Sequence, residues 1–279
     1  MVQKASGSTS IQDEDTGLKA KVEAKGSGEN AVHVISDATV VGSNGQDFYL
    51  AVPAGLITDT ESVNKFGFNP DVNGSNFEEI WDVSTSYTWK TSASTVTVKS
   101  DDSSDTSAGS GARTVEIQGL DGSYNPISET ITMNGTSNVT SSNSYLRIFR
   151  MKVLTAGSQE ENDGNITATH TGTVIAQISE ENNQTLMAVY TVKSGYTAYL
   201  TSFFIGMERN VEAAIRLDVR PEGSVFQVKR YIVSDSATES LPFKPYLKIE
   251  EKSDIRMMGK AQSGSQGISA GFDLILVKN

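Results

Sequence analysis

From Tyr87 onward the chain alternates apolar and polar residues with a period of two, the mark of strands with one buried face. TVTVKS (95–100), TVEIQGL (114–120) and ISETITM (127–133) alternate strictly, and DGSYNP (121–126) supplies hairpin-turn chemistry between the last two. The pattern continues through YLRIFRMKVL (145–154), NITATHTG (165–172), TVIAQIS (173–179), TLMAVYTV (185–192), TAYLTSFFIGM (197–207) and EAAIRLDVR (212–220). It ends with VFQVKRYIV (225–233), LPFKPYLKIE (241–250), DIRMMGKAQ (254–262) and GFDLILVKN (271–279). About thirteen candidate strands, punctuated by turn residues, predict an antiparallel sandwich or barrel. The expected fold is all-β: an antiparallel β-sandwich of jelly-roll type over residues 87–279. No helical period persists for the ~10 residues an ordinary helix needs.

Upstream the pattern is looser. Residues 1–30, rich in Gly, Ser, Lys and Glu, read as a flexible arm. Residues 31–86 read as a small N-terminal β region, with strands in HVISDATVVG (33–42) and DFYLAVPAGL (47–56). Between Thr58 and Asp82 a short helical turn is expected, on which Phe77 and Trp81, four apart, would face the same way. Pro70 and Gly74 keep such a helix short. The low-complexity stretch SDDSSDTSAGSG (100–111) lies between two clear strands and reads as an exposed loop.

Charge and composition narrow the function classes. The 279 residues carry a net charge of -11 with a sequence pI near 4.7, so the basic footprint of a nucleic-acid binder is absent and no nucleic-acid partner is expected. An acidic surface suits solubility, and equally the outside of a particle. There are no cysteines, which excludes disulfides and thiolate metal sites. His33 and His170 leave little material for a zinc site or a Ser-His-Asp triad. Neither a metal nor a cofactor is expected. Met1 to Thr16 lack the apolar core of a signal peptide, and no stretch approaches the ~18 apolar residues of a membrane helix. Synthesis in a cytoplasm, without a membrane partner, is the expectation.

Several constellations suggest chemistry but also fit plainer roles. Asp101, Asp102 and Asp105 suggest calcium by their clustered hard oxygens, yet EF-hand spacing and its terminal Glu are missing, which favours a solvated loop. Asp13, Glu14 and Asp15 read as a solvated arm, or as a dock for a basic partner. Glu160, Glu161 and Asp163, or Glu180 and Glu181, resemble glycosidase carboxylate pairs only in composition, because they sit in polar turns. The Asn-x-Thr triplets at Asn134, Asn165 and Asn183 are expected by chance in so Asn- and Thr-rich a chain. Trp81, Tyr87, Trp89, Tyr196 and Tyr199 fit a core or an interface better than a sugar platform. Arg147, Arg150, Arg216, Arg220, Lys229 and Arg230 alternate on strands, where they either face solvent or meet the carboxylates of a neighbour. No GxxxxGK[ST], HExxH, GxSxG or paired CxxC motif is present.

Whole segments nevertheless carry a likeness. FGFNPDVNGSNFEEIWD (66–82), GARTVEIQGLDGSYNPISETITMNGT (111–136), NSYLRIFRMKVLTAGS (143–158) and the ending GISAGFDLILVKN (267–279) resemble virion structural proteins of tailed bacteriophages, particularly marine and cyanobacterial ones. The resemblance covers about two thirds of the chain. It implies a non-enzymatic particle protein located in the virion, and supplies no catalytic residues. The expected station is capsid decoration or cement on the exterior, the alternatives being a neck or tail component or a carbohydrate-binding module for host attachment. The expected partners are copies of itself, first as a trimer at threefold positions of a particle, and the major capsid or other virion proteins.

Overall fold

The computed structural model describes residues 9–12, 19–22, 47–83, 86–208, 212–235 and 238–279, with backbone alone for the first two stretches. The backbone divides into two compact units, Met1–Glu61 and Ser62–Asn279.

In the first unit, β1 (Thr9–Gln12) and β2 (Lys19–Val22) form an antiparallel hairpin inside the stretch expected to be a flexible arm. HVISDATVVG, the first expected strand, lies outside the described residues. DFYLAVPAGL is not a strand. Asp47 accepts a hydrogen bond from the Tyr49 N–H at 2.7 Å and caps a four-residue helix, α1 (Phe48–Ala51). Pro53 and Gly55 (φ +69°) close this turn, and the Leu56 N–H donates back to the Ala51 carbonyl at 2.9 Å.

The second unit is antiparallel β throughout, and the expected helical turn within 58–82 is absent. The strands in its place are β3 (Thr60–Asn73) and β4 (Glu78–Glu79). In β3 the buried alternate positions are Lys65, Gly67 and Asn69, so the period of two is present in burial but not in hydrophobicity. Phe77 and Trp81 do not share a face: Phe77 lies against Tyr231, whereas Trp81 is buried in a core with Tyr87.

After β4 the chain leaves to build a separate sandwich. Its strands are β5 (Thr97–Ser100), β6 (Ala112–Leu120), β7 (Pro126–Thr132), β8 (Val139–Thr140), β9 (Arg147–Ala156), β10 (Ile166–His170) and β11 (Thr173–Ile178). They form two sheets, ordered β11-β10-β5-β8 and β7-β6-β9. Val96, Val98, Val115, Ile117, Ile148, Met151, Ile166 and Ile175 fill the space between them. The β6–β7 turn falls where its chemistry placed it, with Asp121 accepting from the N–H groups of Ser123 and Asn125.

The chain then returns through β12 (Val189–Thr191), β13 (Tyr196–Met207), β14 (Ala213–Arg220), β15 (Gln227–Ser234), β16 (Thr238–Ile249), β17 (Asp254–Ala261) and β18 (Ser265–Lys278). With β3 and β4 these make two further sheets, ordered β16-β13-β18-β3 and β12-β17-β14-β15. Successive strands repeatedly change sheet, as in a jelly roll of eight strands. Leu200, Phe203, Ile205, Ile215, Leu217, Ile255, Met257, Phe272 and Leu274 lie in the shared core.

The eighth strand is spliced. β4 and β12 both pair with β17, at Met258–Gly259 and at Asp254–Arg256 respectively. Between them Ile80 donates to the Met257 carbonyl (3.0 Å), Met257 to Ala188 (3.1 Å) and Ala188 to Ile80 (2.9 Å). The two pieces therefore act as one strand, with the smaller sandwich inserted at the break and Trp81 bridged to Met187 across its neck. The expected single sandwich over 87–279 is thus two sandwiches, and residues 62–81, expected to lie in a separate N-terminal region, are strands of the larger one.

Candidate functional site

The densest polar chemistry lies where the inserted sandwich meets the outer face of the β17–β14 sheet. Alternation aims Ile215, Leu217 and Val219 into the core and Arg216, Asp218 and Arg220 outward. Asp254 and Arg256 stand beside them on β17, because Arg220 pairs with Asp254 and Asp218 with Arg256 in the ladder. Asp254 accepts from Arg147 Nε at 3.0 Å and from Arg147 Nη2 at 3.1 Å, a two-pronged bond from β9 of the inserted sandwich. It also accepts from Arg220 Nε at 3.0 Å and from Thr191 Oγ1 at 2.6 Å. Arg256 divides itself between Asp218 (3.1 Å) and Glu79 (2.8 Å). Arg147 further donates to the carbonyls of Lys90 and Leu146.

Aromatic rings interleave with these guanidiniums. Trp89 lies under both Arg147 and Arg220, 5.3 and 5.2 Å from its ring centroid. Phe226 lies under Arg220 and Arg256 at 4.6 and 4.0 Å, and Phe77 under Arg216 at 4.3 Å. Four arginines meet three carboxylates in a half-dry layer, so each charge is compensated by a partner of opposite sign or by a π face. Arg147, the one of the four that comes from the inserted sandwich, clamps it to Asp254 of the larger one. Of the arginines expected on strand faces, Arg147, Arg216 and Arg220 meet carboxylates, and they do so within one chain.

The aromatic candidates are likewise used internally. Trp81 and Tyr87 are buried, with burial raising the Tyr87 phenol far above its ordinary range. Trp89 has guanidiniums over its ring and Tyr87 at its edge, and the Lys193 amine sits 3.8 Å above Tyr196. A sugar would have to displace these cations to stack on either ring.

The loop over 100–111 is tied down rather than solvated throughout, because Asp105 is fully buried inside it. Its Oδ1 accepts from Ala112 N (2.6 Å) and Asp163 N (3.0 Å), and its Oδ2 from Ser100 Oγ (2.6 Å) and Gly164 N (3.0 Å). Asp101 accepts from the backbone and side chain of Asn165, and Asp102 from the Ser104 N–H. These carboxylates organise neighbouring turns. Among the described residues no group of three or more His, Asp or Glu is placed to hold a metal ion.

Glu160 and Glu181 occupy left-handed turn positions (φ +63° and +65°) at the surface, and Asp163 accepts from Ser110. Asn165 and Asn183 serve the same turns. His170 is buried against Thr171, and burial holds its pKa below the ordinary value. His33, Asp13, Glu14 and Asp15 lie outside the described residues. Arg150 donates to the Asn64 carbonyl, while Lys229 and Arg230 stand on the exposed strand β15.

Two further residues at the junction carried no signal in the sequence. Lys65 donates its amine to the Phe149 carbonyl while buried, which pushes its pKa well below the usual lysine range, with Arg150 adding to the effect. Asp82, at the neck, accepts from Ser179 Oγ at 2.7 Å, and burial raises its pKa to about 6. No described helix is long and apolar enough to cross a membrane.

No protein-family description and no curated protein matches this chain. Among solved structures it is similar to that of the infectious bursal disease virus Gt strain, at 9% identity and a TM-score of 0.22, covering 83% of this chain and 78% of that one. It is similar to the VP2 subviral particle of the same virus at 10% identity and 0.21, covering 79% and 73%. A Bacillus thuringiensis Cry1Da tryptic core variant follows at 9% and 0.17, covering 74% and 53%. Likenesses this slight carry no argument about what the chain does.

Proposed function

We propose that this chain is a non-enzymatic structural protein of a phage particle, placed on the capsid exterior as a decoration or cement protein. The observation that carries the reading is the clamp around Asp254, in which charged and aromatic groups are spent on fixing one sandwich against another. Groups engaged in this way are not held open for a substrate. The segment resemblance to tailed-phage virion proteins supplies the particle, and the charge of -11 favours its outer face over one packed against DNA. A neck or tail station satisfies the same physics. The glycan-binding alternative is weakened by the cations over Trp89 and Tyr196.

The test is cryo-electron microscopy of the particle that contains this chain. The expected result is repeated density for two joined sandwiches on the outer shell. Density confined to the neck or tail overturns the decoration assignment, and absence of the chain from purified particles overturns the structural one.

A further inference from the structure

The edge strands of the larger sandwich are protected unequally. β16 carries Pro242 and Pro245, and β3 carries Pro70, and each proline removes a ladder donor. β15 (QVKRYIVS) carries no proline, and its far edge has no partner among the described strands. It also exposes apolar side chains: Val228, Tyr231 and Val233 are 50%, 54% and 48% accessible. A bare strand edge with an apolar face is a template for strand addition.

We propose that β15 pairs with β15 of a second copy about a two-fold axis, joining the two β12-β17-β14-β15 sheets into one continuous sheet. The proposal is independent of the particle assignment.

The register follows from the strand itself. β15 runs regularly against β14 from Arg230 (opposite Leu217) to Ser234 (opposite Ala213), and the ladder shifts at Lys229. The centre of this five-residue run is Ile232. An antiparallel two-fold through Ile232 pairs the whole run with itself: Arg230 opposite Ser234 of the second copy, Tyr231 opposite Val233, and Ile232 opposite Ile232. Lys229 then stands opposite the exposed Asp235, twice over by symmetry. Two aromatic–β-branched pairs and two opposite-charge pairs are all favourable cross-strand neighbours. Alternative registers must shift by two residues to keep each face on its own side. A shift centred on Tyr231 sets Lys229 against Val233, and the next sets Arg230 against Arg230. Charge and apolar pattern therefore select the same register. A two-fold contact of this kind closes, and gives a dimer rather than the trimer expected from threefold positions.

The test uses the full chain and two exposed residues, Lys229 and Asp235, whose exchange leaves the core untouched. Sedimentation of the unmodified protein should show a species of twice 29.9 kDa that dissociates on dilution. Lys229→Glu and Asp235→Lys should each weaken the dimer by about tenfold or more, since each sets like charges face to face at two places. The variant carrying both exchanges should recover it. Hydrogen exchange should show those of the 230–234 amides that point away from β14 protected in the dimer and exposed in either single variant. A monomer at about 100 μM, far above the micromolar constant of even a modest interface, overturns the proposal. So does an oligomer that both single variants leave intact, or a double variant no better than either single one.

Discussion

Replacing Asp254 with alanine tests whether the clamp is structural in the way its geometry implies. Asp254 receives four well-formed donors, at 3.0 and 3.1 Å from Arg147, 3.0 Å from Arg220 and 2.6 Å from Thr191. The Arg147 side chain is only 6% exposed, so removal of the carboxylate strands a guanidinium that water barely reaches. Leaving one member of a buried pair alone costs about 3–5 kcal/mol. Arg147 keeps the Lys90 and Leu146 carbonyls and the Trp89 face, which places the loss near the lower end, about 3 kcal/mol. For a chain of this size that is a fall of about 6–12 °C in Tm. The assay is urea unfolding followed by far-UV circular dichroism and by tryptophan fluorescence, since Trp81 and Trp89 both lie near the junction. The companion variant Asp254→Leu with Arg147→Met removes both charges and should lose less than Asp254→Ala alone. A loss below about 1 kcal/mol for Asp254→Ala, the level of an exposed ion pair, refutes the buried-pair argument. So does a double variant that is the less stable of the two.

Two further outcomes follow from the junction. Gly67→Ala places a Cβ 2.2 Å from the Ile80 carbonyl oxygen and 2.5 Å from the Ala188 nitrogen, both backbone atoms of the spliced strand, so the sheets must part. Overpacking of this kind costs about 1–3 kcal/mol, read as a Tm lower by at least about 2 °C in calorimetry, and an unchanged Tm contradicts the close approach. Asp82 has its carboxyl raised from 3.8 to about 6 by burial, so the folded state holds its proton more tightly than the unfolded one. Burial of this carboxyl therefore costs least below about pH 4, where it is protonated in both states, and stability falls as pH rises from about 4 to about 6 and stays lower above that, by at most about 3 kcal/mol at 1.36 kcal/mol per unit. Asp82→Asn keeps an acceptor for Ser179 and should raise Tm at pH 8 but leave it little changed at pH 4; an equal effect at both values refutes the assignment.

Legibility in the sequence tracked how far each strand buried apolar residues. β6 and β14 alternate visibly because Val115, Ile117, Ile215 and Leu217 point into cores, and both were read directly. β3 reads as a helical turn and loop because its alternate buried positions before Pro70 are Lys65, Gly67 and Asn69, whose burial depends on hydrogen bonds and a close backbone approach, and Val72 alone adds an apolar one. α1 reads as a strand because four residues hold barely one helical turn, and Asp47 caps it. The insertion was invisible for a different reason. Ile80 and Ala188 are 108 positions apart, yet they share one ladder, and no local pattern marks two half-strands as halves of one.

The same distinction explains the polar residues. Asp101, Asp102 and Asp105 look alike in a serine-rich run, but only Asp105 meets four donors in a closed space, three of them backbone N–H groups supplied by residues 112, 163 and 164. Arg147 and Arg150 both alternate along β9, yet Arg147 reaches Asp254, 107 residues away, while Arg150 reaches only a carbonyl. What a charged residue does in this protein is set by which distant strand folds against it. Side-chain type alone leaves a solvated loop beside a calcium loop and a core beside a sugar platform, while the fold turns the same residues into ties and clamps. At β15, where no further described strand arrives on the far edge, Lys229 meets only the neutral Gln227 side chain, and its charge is left to a partner outside the chain.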